Sequence, residues 1–369
     1  MENLTHSLFG AVLYRSGFDR YVPNILPLWV IGANLPDIDV IVNIFGKTAY
    51  LRHHRGLTHA IPGVIVLSLL LATTWFFWQR WRVSATSNNT TINLSRFSLW
   101  LRLFISSLVA VGTHPMLDGL NNYGIRPFLP WNEKWFYGDL VFIVDPWIWL
   151  ILGAAVFLTG VRSKNLTALW AVLTVIAWQL MFFSGRVASI AIAIWTVGVG
   201  LLTSFRIYFR DWTTNQGKNW VARIALIFLC SYLLTLNYFQ TQALTKAENY
   251  FQTQVKEKVT KFSVSPTPAN PLKWEFLGES QNNFYFGIIN LTNNNLTTPK
   301  QIFVDRDSLI FQKALATPEG KELLAFSRYI IALQEDTSEG TLVTLCDGRY
   351  VRDFYSRHPE FACIKVLVK

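Results

Sequence analysis

Five of the six histidines stand within the first 118 residues, at or beside apolar segments: His6, His53, His54, His59 and His114. Three carboxylates accompany them, Asp37 and Asp39 in "NLPDID" and Asp118 in "GTHPMLDG". An ionisable side chain at membrane depth costs on the order of 3 kcal/mol or more unless it is paired, hydrated or bound to metal. One shared metal site would compensate the whole set, whereas the alternative is several independent charge burials.

The spacings fit that chemistry. His114 and Asp118 are four residues apart, so on a helix they share a face and can close on one ion. Pro115 suits a first helical turn, which puts the pair near a helix start or at a kink. Asp37 and Asp39 project from one side of an extended turn, or one each way if the segment is helical. His54 and His59 flank Gly56, whose freedom would let the loop fold back and bring both imidazoles to one centre.

Imidazole with carboxylate suits zinc, and also manganese or iron, better than calcium with its all-oxygen shells. The proposed ligands are His6, Asp37, His54, His59, His114 and Asp118, more than one tetrahedral ion requires, so two divalent ions are expected. A pair of ions can bind a phosphoryl oxygen and a water, lower the water's pKa and steady the leaving oxygen. Arg55 would clamp a phosphate or a developing oxyanion. Asp39 would act as base or orient a histidine. Taken singly, several of these have ordinary roles: His6 as a cap, Arg55 as a headgroup anchor, Arg52 and His53 as loop residues. Asp145 in "FIVDPW" reads as a helix cap ahead of Pro146.

The elements that must position these groups are membrane helices. The chain is 51% hydrophobic and only 15% charged, with 15 Trp and 27 Phe, where a soluble domain carries about a quarter charged residues. Stretches 60–79, 97–118, 141–160, 166–184, 187–205 and 220–240 approach the roughly 20 apolar residues a spanning helix needs. Ahead of them, 4–16 and 24–45 are apolar but interrupted, and read as a short helical hairpin that enters the membrane and turns back. The expected fold class is mainly α, a polytopic helical membrane domain over 1–240. A connecting helix comes next over 241–264, with "SPTPANP" at 265–271 as a Pro-rich break. A small soluble α+β domain then occupies 265–369. Its strands are expected in "KWEFLGES", "NFYFGIINL", "RYIIALQED", "TLVTLCDGRY" and "FACIKVLVK", with 306–327 more helical. The one histidine there, His358, reads as a surface residue.

The net charge of +10 belongs to short loops beside apolar segments, which argues for membrane orientation rather than nucleic acid as partner. One face receives Arg15, Arg20, Arg80, Arg82, Arg96, Arg162, Lys164, Arg206, Arg210 and Lys218. The other receives Lys47, Arg52, Arg55, Arg126, Lys134 and Arg186. The richer face is expected to be cytoplasmic, which leaves the histidine cluster and the C-terminal domain outside. Cys346 and Cys363 can pair only if their domain faces an oxidising compartment. "MENLTHSLFG" lacks the basic start and long apolar core of a cleaved signal.

The ordered series "THSLFG", "NLPDID", "HRGLTH", "HPMLD" and "FIVDPW" resembles the YdjM-like family of prokaryotic inner-membrane proteins. The resemblance implies a membrane-embedded, metal-dependent hydrolase in the cytoplasmic (inner) membrane. A more distant similarity joins His6, Asp37 and the His114/Asp118 pair to the zinc-dependent phospholipase C and P1-type nuclease group. That group uses a second His-x-x-x-acid pair, which is missing here. The two likenesses and the donor set together imply a phosphoester substrate, a lipid among the candidates. The competing classes are a non-enzymatic metal-binding protein, structural or in transport, and a membrane anchor for a partner-binding C-terminal module.

Overall fold

The computed structural model describes residues 1–85, 95–160, 163–209, 215–293, 295–297, 299–351 and 361–369. Arg162, Arg210 and His358 lie outside the described residues. Two compact units result. The first comprises Met1–Ile38, Leu57–Leu236 and Thr267–Asn270; the second comprises Asp39–Gly56, Asn237–Pro266 and Pro271–Lys369.

The first unit opens with helix α1 (Asn3–Leu13), a π turn (Tyr14–Phe18), a single turn α2 (Asp19–Tyr21) and α3 (Leu26–Asn34). Glu2 caps α1 by accepting from the Thr5 backbone N–H at 2.7 Å. Helices α1 and α3 pair with each other: Asn34 Nδ2 donates to Ser7 Oγ at 2.9 Å. At the turn end, Tyr14 Oη donates to the Val22 carbonyl and accepts from the Ile25 N–H, each at 3.2 Å. Between these contacts, a Cβ on Gly10 would lie 2.9 Å from Ala33 Cβ and 3.0 Å from the Trp29 carbonyl. Glycine is thus what lets the two helices meet, as small residues do between membrane helices.

The second arm departs from expectation. Pro36 contributes no N–H to continue α3, and the chain winds on as a 3-10 run over Leu35–Phe45. Together Leu26–Phe45 is long and apolar enough to cross a membrane by itself. The other such stretches lie in α5 (Ile61–Ala85), α6 (Arg96–Asp118), α8 (Lys164–Phe183), α9 (Ser189–Tyr208) and α10 (Asn215–Thr253). There are six among the described residues, as expected, but not the same six. The 141–160 stretch shortens to α7 (Pro146–Thr159), about 21 Å of helix against a hydrocarbon core of about 30 Å. Asp145 caps its start and Pro146 occupies its first position, while Gly160 ends it in an extended conformation.

The core of this unit is apolar: Ile25, Leu28, Trp29, Leu71, Leu103 and Val111 are buried against one another. Helices α8 and α9 instead expose Leu169, Val172 and Ile176, and Ile194, Val197 and Leu201. A helix apolar on its outer face is solvated by lipid, not water.

The second unit holds α4 (Lys47–His53), the last turns of α10, and two antiparallel sheets with α11 (Leu309–Ala316) and α12 (Pro318–Phe326). In the first sheet β1 (Lys261–Thr267), β2 (Asn270–Glu279), β3 (Asn283–Asn290) and β4 (Asn295–Leu296) lie in order, and β5 (Lys300–Phe303) pairs with β3. The second sheet runs β6 (Ile330–Thr337), β7 (Gly340–Asp347) and β8 (Cys363–Val368). All five expected strands appear. "SPTPANP" is not a break but a hairpin, with Pro266 in β1, Pro271 in β2 and Ala269 at the tip with φ 54°. Helix α10 ends at Thr253, so the connecting helix stops short of 264 and residues from Lys261 are already strand.

Trp274, Phe276, Phe284, Tyr329 and Val343 fill the core of the second unit. The buried Asp347 carboxylate accepts from Arg349 Nε at 3.0 Å and Nη2 at 2.6 Å, and from the Arg328 N–H at 2.9 Å. A buried charge is tolerated when its lone pairs are satisfied in this way. Cys346 and Cys363 face each other across β7 and β8 and form a disulfide.

Candidate metal centre

Helix α6 ends at Asp118, so His114 and Asp118 occupy its last turn rather than the first turn that Pro115 implied. Pro115 sits inside the helix and removes only the ladder bond to the Val111 carbonyl. The pair nevertheless shares a face: His114 Nε2 lies 3.5 Å from Asp118 Oδ2.

Asp37 comes from the 3-10 run. Asp37 Oδ1 lies 3.3 Å from His114 Nε2 and 3.5 Å from His59 Nε2. His59, in the 3-10 turn Leu57–His59 that leads into α5, also stands 3.4 Å from Asp118 Oδ2. Asp37, His59, His114 and Asp118 thus offer four ligand atoms around one point.

Those distances carry information. A charge-assisted N–H···O bond is about 2.7–2.9 Å long. The edge of a tetrahedron whose centre lies about 2.0–2.2 Å from each corner is about 3.3–3.6 Å. Four edges of the Asp37–His59–His114–Asp118 set fall between 3.3 and 3.5 Å, so the spacing matches ligands of a common ion better than direct hydrogen bonds.

The proton count agrees. His114 Nδ1 lies 2.6 Å from the Ala33 carbonyl. A carbonyl only accepts, so Nδ1 carries the proton, and in the neutral ring Nε2 presents a bare lone pair. That buried lone pair has no hydrogen-bond partner and faces two carboxylate oxygens. Lone pairs opposed in this way need a positive charge between them. His59 Nδ1 is engaged as well, 3.0 Å from Thr58 Oγ1, a hydroxyl that can donate or accept and so orients the ring without fixing which nitrogen carries the proton. Neutral imidazole oriented through its other nitrogen is how proteins present histidine to metal.

His6 extends the group. Its ring stacks on His114 with centroids 3.7 Å apart, and its Nε2 lies 3.4 Å from the other Asp118 oxygen, Oδ1. The Met1 amino group also contacts Asp118 Oδ1. Asp118 therefore presents one oxygen to each side. The His59, His114 and Asp118 side chains are fully buried, while Asp37 is 17% exposed and opens the group to the outside.

Asp39, His54 and Arg55 belong to the second unit and contact one another there. His54 Nδ1 lies 2.8 Å from Asp39 Oδ1, and Asp39 Oδ2 accepts from the Arg55 N–H at 3.0 Å. The loop between His54 and His59 turns at Arg55, whose φ is 57°, and not at Gly56. The Asp39 bond to the Arg55 N–H helps hold a conformation that costs a non-glycine residue on the order of 1 kcal/mol or more. Arg52 pairs with Glu322 at 2.6 Å. Asp145 is the cap expected of it, accepting from the Trp147 and Ile148 N–H groups at 2.9 and 3.4 Å. It also accepts from Tyr232 Oη at 2.8 Å.

Sequence reasoning missed the Ala33 carbonyl and Thr58. A backbone acceptor supplied by packing has no side-chain signature, whereas Thr58 was legible as the polar neighbour of a candidate ligand.

Six stretches able to span a bilayer and a buried His/Asp group define a polytopic membrane protein with a candidate metal centre. The chain belongs to the YdjM inner membrane protein family, whose profile matches residues 1–188. It is also 27% identical over 153 residues to YfhP of Bacillus subtilis (strain 168), a match spanning 41% of either chain. No solved structure shows a significant match.

Proposed function

We propose that the protein is a metal-dependent hydrolase of the inner membrane that acts on a phosphoester, lipids included. The observation that supports this most directly is the set of tetrahedral edges around Asp37, His59, His114 and Asp118, with Asp37 reaching the exterior. A structural zinc site closes all four positions and a catalytic one keeps one open; four protein donors would fill a tetrahedral shell, so turnover would need Asp37, the exposed donor, to yield its position or the shell to expand to five. Nitrogen and carboxylate donors favour zinc, and the two-sided use of Asp118 favours a second ion on the His6 side. Bound zinc would supply Lewis acidity and a water of lowered pKa. Ala33 and Thr58 fix the imidazoles. In the second unit, Asp39 orients the His54 imidazole, and Arg55 follows it in the chain; imidazole and guanidinium are donors suited to phosphoryl oxygens.

The test is hydrolysis of p-nitrophenyl phosphate, its bis-ester and phosphatidic acid vesicles by detergent-purified full-length protein. Zinc-dependent release of product that His59→Ala abolishes is expected. Stoichiometric metal with no turnover of any of the three would leave a structural site in place of an enzyme.

The location also has a side. The ends of α5 and α9, the starts of α6, α8 and α10, and the α1–α3 turn carry Arg82, Arg206, Arg96, Lys164, Lys218, Arg15 and Arg20. We assign that end to the cytoplasm. The metal centre, at the start of α1 and the end of α6, then faces outward. Helix α10, leaving the basic end, delivers the C-terminal unit to the outside as well, in keeping with its disulfide. Labelling of a Lys321→Cys, Cys230→Ser variant by a membrane-impermeant maleimide is expected in intact spheroplasts. Labelling only after lysis would reverse the orientation.

A further inference from the structure

Between α6 and α7, residues 125–136 fold into a hairpin of the first unit. Ile125 and Phe136 close its base, each N–H donating to the other's carbonyl at 2.9 Å. At the tip the Phe128 carbonyl accepts from the Trp131 and Asn132 N–H groups, both at 3.0 Å. The Phe128 and Phe136 rings meet edge-on with centroids 5.5 Å apart, and the buried Arg126 guanidinium lies 4.5 Å over the Trp135 ring. The turn is firmly built, yet it leaves Phe128, Phe136 and Trp131 on the surface, Trp131 being 79% exposed. One exposed apolar side chain is ordinary, whereas three aromatic rings on a single tight turn mark a contact surface.

The depth of the hairpin follows from the helices that hold it. The Ile61 N–H, at the start of α5, donates to the Pro127 carbonyl at 3.0 Å. The apolar stretch of α5, Ile61–Arg82, is about 33 Å long against a hydrocarbon core of about 30 Å. With Arg82 at one boundary of the bilayer, Ile61 lies at the other. The end of α6 comes to the same level, since Asp118 lies 3.4 Å from His59, two residues ahead of Ile61. From Ile61 the exposed side chains Ile65 and Leu69 follow at intervals of four, so a lipid-facing stripe of α5 runs down from the point where the hairpin is attached.

The residues at the tip suit that level. Asn132, Glu133 and Lys134 follow Trp131 directly and are exposed, which rules out the hydrocarbon centre, while rings of this kind collect where headgroups meet acyl chains. We propose that the 125–136 hairpin is an interfacial anchor, with Phe128, Trp131 and Phe136 dipping into the leaflet on the metal-centre side. Its partner is the lipid surface, because the hairpin continues the lipid-facing wall of α5 at the boundary of the bilayer. The proposal holds whether or not the metal centre is catalytic.

Spin labelling of the full-length protein in nanodiscs of phosphatidylcholine and phosphatidylglycerol tests it. Phe128→Cys and Trp131→Cys, each on a Cys230→Ser background, carry the nitroxide; Val172→Cys on the outer face of α8 and Lys321→Cys, at an exposed residue of α12, serve as references. Oxygen concentrates in the bilayer and a nickel chelate in water, so the ratio of their collision rates with the nitroxide reads depth. Labels at 128 and 131 are expected to give a ratio well above that at 321, toward that at 172. A ratio equal to that at 321 would put the hairpin in water and overturn the proposal. Low collision rates with both reagents would mean that protein covers the hairpin, as between two copies of the chain, and would overturn it as well. Where the two labels differ, the one at 128 decides, because it leaves Trp131 in place.

Discussion

Asp118→Asn is expected to strip the protein of metal. The substitution keeps the size and one acceptor of the side chain but removes the charge and the equivalence of the two oxygens. Those oxygens lie 3.4 and 3.5 Å from His59 and His114 on one side and 3.4 Å from His6 on the other, so a single change weakens both halves of the group. Losing a residue that only orients a ligand costs about 10–100-fold in affinity, and losing a charged ligand should cost at least about 100-fold. Elemental analysis of protein purified without chelator, with gel filtration to establish folding, provides the measurement. Thr58→Val gives the scale: it removes the hydroxyl that contacts His59 Nδ1 and should lower affinity about ten-fold. If Asp118→Asn, well folded, keeps the wild-type metal content, the four carboxylate and imidazole groups are a polar packing network.

The second large effect is on stability, at a site unconnected with metal. Asp145→Ala should cost about 2–4 kcal/mol in thermal unfolding in detergent, the sum of two losses. The fully buried carboxylate accepts the first free N–H groups of α7 and the Tyr232 hydroxyl of α10. Loss of the cap contributes about 1 kcal/mol, and a buried hydroxyl left without its acceptor adds about 1–3 kcal/mol. Tyr232→Phe, which removes the hydroxyl without orphaning the cap, should cost about 1 kcal/mol. A melting temperature of Asp145→Ala equal to wild type would mean that water replaces both bonds.

Much of this was legible in the sequence, for reasons that differ by residue. The four-residue spacing of His114 and Asp118 has one geometric meaning on a helix, and the structure gives it that meaning. Alternation in "NFYFGIINL" marks a strand because one face of it is buried, whereas "RYIIALQED" is an apolar run buried through its first half and exposed through its second. The interrupted 24–45 segment was ambiguous because Pro36 ends an α-helix without fixing the winding of the residues after it. In "RHHRGLTH" the glycine drew attention as the place to turn, yet Arg55 takes the left-handed conformation because Asp39 reaches its N–H. Neighbours brought in by tertiary packing override local preference there, and no local pattern announces them. "SPTPANP" misled because prolines usually interrupt strands; here Pro266 and Pro271 lie in the strands on either side of a two-residue tip that Pro268 opens.

The direction of α6 has a kinetic implication. A helix carries roughly half a negative charge at its C-terminal end, and α6 runs out at the point where Asp37 and Asp118 converge. Field and carboxylates have the same sign, so that point attracts cations and turns anions away. A phosphorylated molecule arriving first would meet repulsion, and one arriving after the ions would meet attraction. The order of events, cation before anion, is therefore set by which way one helix points, and excess chelator should slow the onset of turnover and not merely its final rate.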